Sequence, residues 1–345
     1  MSRKQKKSKI RILVVFLVLL GVWCTLRLGY NAPLVFDENT QIEIEEWDTL
    51  AKFYSHLNGY HKFMMKLWLR NHKDLIPPLQ KGNYALNGSY QKKELLEQLA
   101  KGPEKAFIRM TILEGWSIYD IDQELTQKGL IQAGEFVNKA SDLSLIQRLK
   151  STFSFLSILP EGKSLEGFLY PDTYFLDQNW DISEQLLTAQ LKNFQQKIWD
   201  SYHEKIVSFW YNLSPYQVVI LASVIENEEK KSENKPIIAG IFLNRLERGM
   251  RLDADVTLCY GLKVTHDKCR QNIVPNLSDS TNPYNTRQVL GLMPTPISSP
   301  SEETFSALLN FKKTDYLFYL HDQLGGIHYG TTNEEHISNV AIYLR

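Results

Sequence analysis

The sequence predicts an α+β protein: a single N-terminal transmembrane helix, a small α/β module, and a larger mixed α+β domain. Three observations carry this. A basic tail runs into an uncharged apolar run over residues 12–26. Stretches of helical period dominate the rest but are interleaved with short segments of strand character at residues 107–113, 316–320 and 327–330. Finally, residues 213–247 read as a helix that is apolar all round, a turn, and a second helix, which belong inside a domain. A chain of 345 residues has material for two or three domains.

The N-terminal segment comes first. Arg3, Lys4, Lys6, Lys7, Lys9 and Arg11 precede the apolar run and Arg27 follows it. Fifteen residues are short for a membrane span, but the flanking arginines can snorkel, so residues 10–28 serve as one tilted pass. No small-x-small cleavage site follows, and Trp23 before Cys24 does not fit lipoprotein processing. The reading is a retained anchor: residues 1–9 in the cytoplasm and the chain after about residue 30 outside.

The zero net charge hides an asymmetry. Seven of the 39 basic residues and none of the 39 acidic ones lie in residues 1–27, which leaves 32 against 39, a net of −7. An acidic ectodomain with no basic stripe argues against nucleic acid. The eight histidines show no metal-ligand spacing, and no GxSxG elbow, phosphate loop or dinucleotide fingerprint is present, so no metal or cofactor is expected. Cys259 and Cys269 lie on the oxidising side and either close a small loop as a disulfide or stay apart; the sequence leaves both open.

Residues 31–45 read as an extended stalk, followed by a helix from Trp47 that ends at Gly59 and a second over residues 61–71. A short strand around Tyr84, a helix over 92–100 closed by Gly102 and Pro103, and an alternating strand over 107–113 complete a compact α/β unit. Helices follow over 117–128 and on to about residue 149, then an aromatic-rich loop over 166–176 and one long amphipathic helix from Ile182 to Phe209.

Ser214 as N-cap, Pro215 at the first helical position and Gln217 returning the capping-box contact start the central helix. Residues 218–225 are apolar or Ala apart from Ser223, and Glu226 is the first carboxylate at the end. A carboxyl at the edge of an apolar environment is favoured in its neutral form, which makes Glu226 a candidate general acid. The alternative is that Glu226, Glu228 and Glu229 form only the solvated end of a core helix. A helix over 236–247 follows, with Asn244 and Arg245 either binding a polar ligand or capping it. Residues 251–262 and 282–300 read as rigid cleft-lining loops, 301–311 as a short helix, 316–330 as a hairpin, and 332–344 as a last helix.

Several motifs occur in order: KGNYAL, TILEGWS, LEGFLYPDTY, LASVIENE, IIAGIFLNRLERGMRLDAD, PYNT, GLMPTPISSPS and HYGTTNEEH. On them the chain resembles the YceG-like endolytic murein transglycosylases; residues 262–280 carry little of that pattern. The resemblance implies a stalk and LysM-like module over residues 29–105 and a catalytic domain over 106–345. It places the catalytic glutamate at Glu226, puts Tyr284, Asn285 and Thr286 beside the substrate, and sets Asp255 in the LDAD-like motif. Asn244 joins them as a residue that orients sugar hydroxyls or an acetamido group. The implied reaction cuts between N-acetylmuramic acid and N-acetylglucosamine in nascent peptidoglycan strands by attack of the muramyl C6 hydroxyl on its own anomeric carbon. Glu226 serves as acid and then base, which would terminate strand elongation. Peptidoglycan synthases or division proteins are the implied partners. Two other readings stay open: a hydrolytic muramidase, with Asp255, Glu166 or Asp172 as second carboxylate, and a noncatalytic wall-binding scaffold.

Overall fold

The computed structural model describes residues 3–45, 48–103, 107–209 and 211–344. The helix start read at Trp47 and the domain boundary read between residues 105 and 106 lie outside them. The chain forms two compact units, Met1–Ala106 with Asp177–Asn179, and Phe107–Leu176 with Trp180–Arg345.

The first unit begins with helix α1 (Arg3–Asn31). Its segment Leu13–Asn31 has a mean hydropathy of 2.0 and is long and apolar enough to cross a membrane. The extended stretch read as a stalk is strand β1 (Leu34–Ile44), antiparallel to β2 (Gly82–Tyr90), with Leu34 opposite Tyr90 and Ile44 opposite Gly82. Its register shifts between Phe36 and Thr40, and that irregularity breaks the alternation a strand normally shows in sequence. Helix α2 (Ala51–Ser55) is short, and α3 (Gly59–Asn71) starts at the glycine read as a terminator, because the Asn58 side chain caps the His61 N–H. Helix α4 (Lys92–Ala100) has the bounds the sequence gives, with Gln91 and Glu94 forming a capping box. Leu34, Ile42, Phe53, Trp68, Leu86 and Leu95 belong to this unit's core.

In the second unit, strand β3 (Phe107–Thr111) pairs with β4 (Thr173–Asp177), so the second half of the aromatic-rich loop is a strand. Between them lie α5 (Ile118–Gln127), with a Ser117–Asp120 capping box, α6 (Glu135–Ala140) and α7 (Leu143–Thr152). The long amphipathic helix is α8 (Ile182–Phe194), a π-helical turn at Gln195–Trp199, and α9 (Asp200–Val207). At the centre stands α10 (Pro215–Glu228), capped by Ser214 and Gln217 and buried on all sides from Val218 to Glu226. Helix α11 (Lys235–Glu247) packs beside it.

The 251–262 segment read as a loop is largely helix α12 (Asp255–Gly261), followed by α13 (His266–Asn276); a disulfide between Cys259 and Cys269 ties the two, with Cα atoms 5.3 Å apart. The seven residues of α12 are too few to show a helical period, and the polar composition of α13 hides it. Helix α14 (Glu302–Leu309), the antiparallel hairpin β5 (Phe318–His321) and β6 (Ile327–Gly330), and α15 (Asn333–Tyr343) close the chain.

Candidate active site

The one polar residue in the apolar stretch of α10 has a structural use. The Ser223 hydroxyl accepts from the Ile297 N–H at 3.0 Å, and the Ser298 hydroxyl donates to the Ser223 carbonyl at 3.0 Å. These bonds pin the 297–299 segment against the helix, and the chain then turns into α14. One turn further along α10, Glu226 faces the start of α14 and the first residue of α11.

Its carboxylate is surrounded by donors. The Lys235 ammonium donates to Oε1 at 3.0 Å, while Oε2 accepts from the Ser301 N–H and hydroxyl, both at 2.7 Å, and from the Thr304 hydroxyl at 2.6 Å. Glu226 is 6% exposed and Lys235 1%. Ser301 also caps α14, so the partial positive charge of that helix N-terminus points at the carboxylate. A buried ion pair needs close geometry and further hydrogen bonds to offset its lost hydration, and this pair has both. The solvated-end reading of the glutamates does not hold: Glu226 and Glu229 are both buried, and Glu229 is bound by the Lys231 N–H, Asn234 and His321.

Glu226 opens onto a cleft of about 600 Å3, walled by residues 111–116, 171–173, Asn227 and Lys230. The wall turn is fixed at both ends: the Gly115 N–H donates to the Ser299 carbonyl at 3.0 Å, and the Ser299 N–H to the Trp116 carbonyl at 2.8 Å. Gly115 has φ +76°, and a Cβ there would lie 2.3 Å from Asn227 Oδ1, so only glycine fits. Among the described residues, no group of three or more His, Cys, Asp or Glu is placed to hold a metal ion.

The other residues singled out in the sequence have their polar atoms engaged within the fold. Asn285, fully buried, donates to the carbonyls of Asn276, Leu277 and Asp279. The Thr286 hydroxyl receives the Ala254 N–H and meets the Thr257 hydroxyl, each at 3.0 Å. The Tyr284 hydroxyl bonds Thr295 at 2.8 Å, and Asp255 pairs with Arg287. Asn244 donates to the Thr314 carbonyl at 2.7 Å and the Tyr316 carbonyl at 3.0 Å. The geometry therefore sets Thr286 and Asp255 at the start of α12, Asn285 at the end of α13, Tyr284 against Thr295 and Asn244 apart on α11, and puts Glu226 on the cleft.

Of the two other carboxylates considered, Asp172 lies on the cleft wall, with its oxygens accepting from the Thr173 N–H at 2.7 Å and from Asn193 at 3.1 Å. Glu166 is sealed in the core at 0% exposure. Burial pushes its carboxyl up to about 8, against the Ile118 N–H that donates to Oε2 at 3.0 Å.

Sequence reasoning missed Lys235, Ser301, Thr304 and Glu114. A lysine opening an otherwise apolar helix signals a buried cation that needs an anion, and that signal could have found Lys235. Ser301 and Thr304 lie 75 and 78 residues from Glu226, beyond any local pattern.

A family model described as the YceG-like family matches residues 42–342. An endolytic murein transglycosylase of Streptococcus pneumoniae is 32% identical over 288 residues, 76% of this chain and 50% of that protein. One of Bacillus subtilis is 26% identical over 262 residues, 74% of this chain and 71% of that protein. The chain thus spans about half the length of the pneumococcal relative. The crystal structure of a yceG-like protein from Listeria monocytogenes has the same fold, with a TM-score of 0.59 at 24% identity over 88% of this chain and 99% of that one.

Proposed function

This chain belongs to the YceG-like family, and from that premise we propose that it is a lytic transglycosylase cutting peptidoglycan strands internally, between N-acetylmuramic acid and N-acetylglucosamine. Helix α1 anchors it in the cytoplasmic membrane, with the chain after about residue 30 outside and residues 29–105 serving as a stalk and LysM-like module. Cutting nascent strands would end their elongation, in company with peptidoglycan synthases or division proteins.

The observation that carries this reading is the buried Glu226 carboxylate, locked by Lys235, Ser301 and Thr304 at the edge of an open cleft. The reaction breaks the bond from the muramyl anomeric carbon to the leaving oxygen and forms one from that carbon to the sugar's own C6 oxygen. One proton must reach the leaving oxygen and one must leave the C6 hydroxyl. A carboxylate held rigidly as an acceptor suits the second transfer, and proton transfer of this kind contributes roughly 100- to 10,000-fold. A lone Glu226 performs the first only after taking up a proton among donors. Asn244, Asp255, Tyr284, Asn285 and Thr286 serve by holding their own segments of the catalytic domain in shape.

Of the second carboxylates a hydrolase could use, Glu166 has no route to the cleft and Asp255 is paired with Arg287, while Asp172 stands on the cleft wall. Product analysis tests the choice: 1,6-anhydro ends support the transglycosylase, reducing ends support a hydrolase, and no fragments support a scaffold.

A further inference from the structure

Beside the cleft that Glu226 opens onto lies a second cavity of about 590 Å3, bordered by Tyr170, Ser301, Glu302 and Glu303. One residue, Glu114, lies on the walls of both. An enzyme that cuts inside a strand must hold sugar on both sides of the bond it breaks, so the broken bond falls where two such cavities meet. Glu226 lines the first, and its partner Ser301 lines the second.

We propose that Glu114 is the proton donor of this cleft, delivering its proton to the leaving glycosidic oxygen while Glu226 takes the proton of the attacking hydroxyl. This rests on the transglycosylase reading and divides between two residues what a lone glutamate would do in turn.

The surroundings of the two carboxyls differ in the way such a division requires. Each described group that bonds Glu226 donates to it. Glu114 makes no hydrogen bond or ion pair with a described residue, so its carboxyl is available to a ligand. Its backbone is nonetheless fixed, because the neighbouring Gly115 is held by Ser299, and a Cβ on Gly115 would stand 3.8 Å from Glu226 Cγ. Partial loss of solvation and the charges of Glu226 and Glu303 push the Glu114 carboxyl above the usual range, against the pull of Lys235. The other charged or titratable groups along these walls are Lys230, Asp172, Tyr170, Tyr202 and Glu302. Asp172 is the competing acid, but its oxygens are already bonded to Thr173 and Asn193.

The step balances. The C1–O bond to the leaving sugar breaks as the C1–O6 bond forms. The Glu114 proton goes to the leaving oxygen and the O6 proton to Glu226. Transfer from Glu226 back to Glu114 through solvent restores the resting state, with no net change in protons and no oxidant or co-reactant.

The test uses the full chain in detergent with two substrates. One is uncrosslinked glycan strands. The other is a muramyl oligosaccharide carrying 2,4-dinitrophenolate as aglycone, a leaving group that needs no proton. Glu114→Gln is expected to slow cleavage of native strands at least ~100-fold and to remove the alkaline limb of kcat/KM. On the dinitrophenyl substrate it stays within about threefold of wild type, since a lost acid in this range no longer matters there. Glu226→Gln combined with Lys235→Met slows both substrates. Glu114→Gln cutting native strands at the wild-type rate, or losing both substrates equally, overturns the assignment. Wild-type protein that yields no anhydro ends from either substrate overturns the transglycosylase reading itself, a different result from failure of the acid alone.

Discussion

Replacing Glu226 by glutamine should cost stability as well as activity, and adding Lys235→Met should restore the stability alone. Glutamine has one carbonyl oxygen, which can face the Ser301 and Thr304 donors or Lys235, but not both. Its amide then meets a donor, and the Lys235 ammonium, 1% exposed, loses its counter-charge. Removing one partner of a buried pair costs about 3–5 kcal/mol. For a unit of the size of residues 107–345, each kcal/mol moves the melting temperature by about 2–4 °C, so a fall of about 6–20 °C follows. Methionine at position 235 removes the stranded charge while keeping an unbranched side chain of similar length, and the double variant should melt within a few degrees of wild type. Differential scanning calorimetry of the detergent-solubilised chain measures all three. A single variant melting like wild type, or a double variant melting as low as the single one, refutes the claim that this ion pair is a matched unit.

Further outcomes follow from the same structure. The Glu166 carboxyl, at about 8 in the fold against an ordinary 4.5, keeps its proton where the unfolded chain has lost it. Stability therefore falls as pH rises from about 4.5 to about 8, by at most about 1.4 kcal/mol per pH unit. Glu166→Gln, neutral throughout, should lose that slope and gain on wild type at pH 8 relative to pH 5 in urea titrations; parallel pH profiles contradict this. Reducing Cys259–Cys269, which closes a loop of sequence separation 10, should lower stability by about 3 kcal/mol, seen as a lower melting temperature with reductant. Asn244→Ala strands the Thr314 and Tyr316 carbonyls and should cost about 2 kcal/mol with KM for glycan strands unchanged; a raised KM with an unchanged melting temperature points to direct substrate contact instead.

What the sequence disclosed was local. Ser214, Pro215, Gln217 and the apolar run after them specify α10 within a few residues of chain, and α4 is readable for the same reason. Strand β1 was not, because its pairing with residues 82–90 and its irregular register are decided at a distance. Helix α12 is too short to reveal a period and α13 has few apolar residues, and the two are joined by a disulfide whose pairing the sequence left open. The site divides in the same way. Glu226 was legible as a carboxylate ending an apolar helix, whereas Lys235, Ser301 and Thr304 reach it only through the fold. The polar residues of the 282–287 segment drew notice as sugar contacts, yet their hydrogen bonds run to the chain itself, a distinction that residue type cannot make.

The most direct measurement is mass analysis of the fragments released from intact glycan strands by the wild-type chain and by the stability-restored Glu226→Gln, Lys235→Met variant. Wild type should yield muropeptides ending in 1,6-anhydro-N-acetylmuramic acid, and the folded double variant none. Anhydro ends from the double variant at the wild-type rate would contradict the assignment of proton transfer to Glu226.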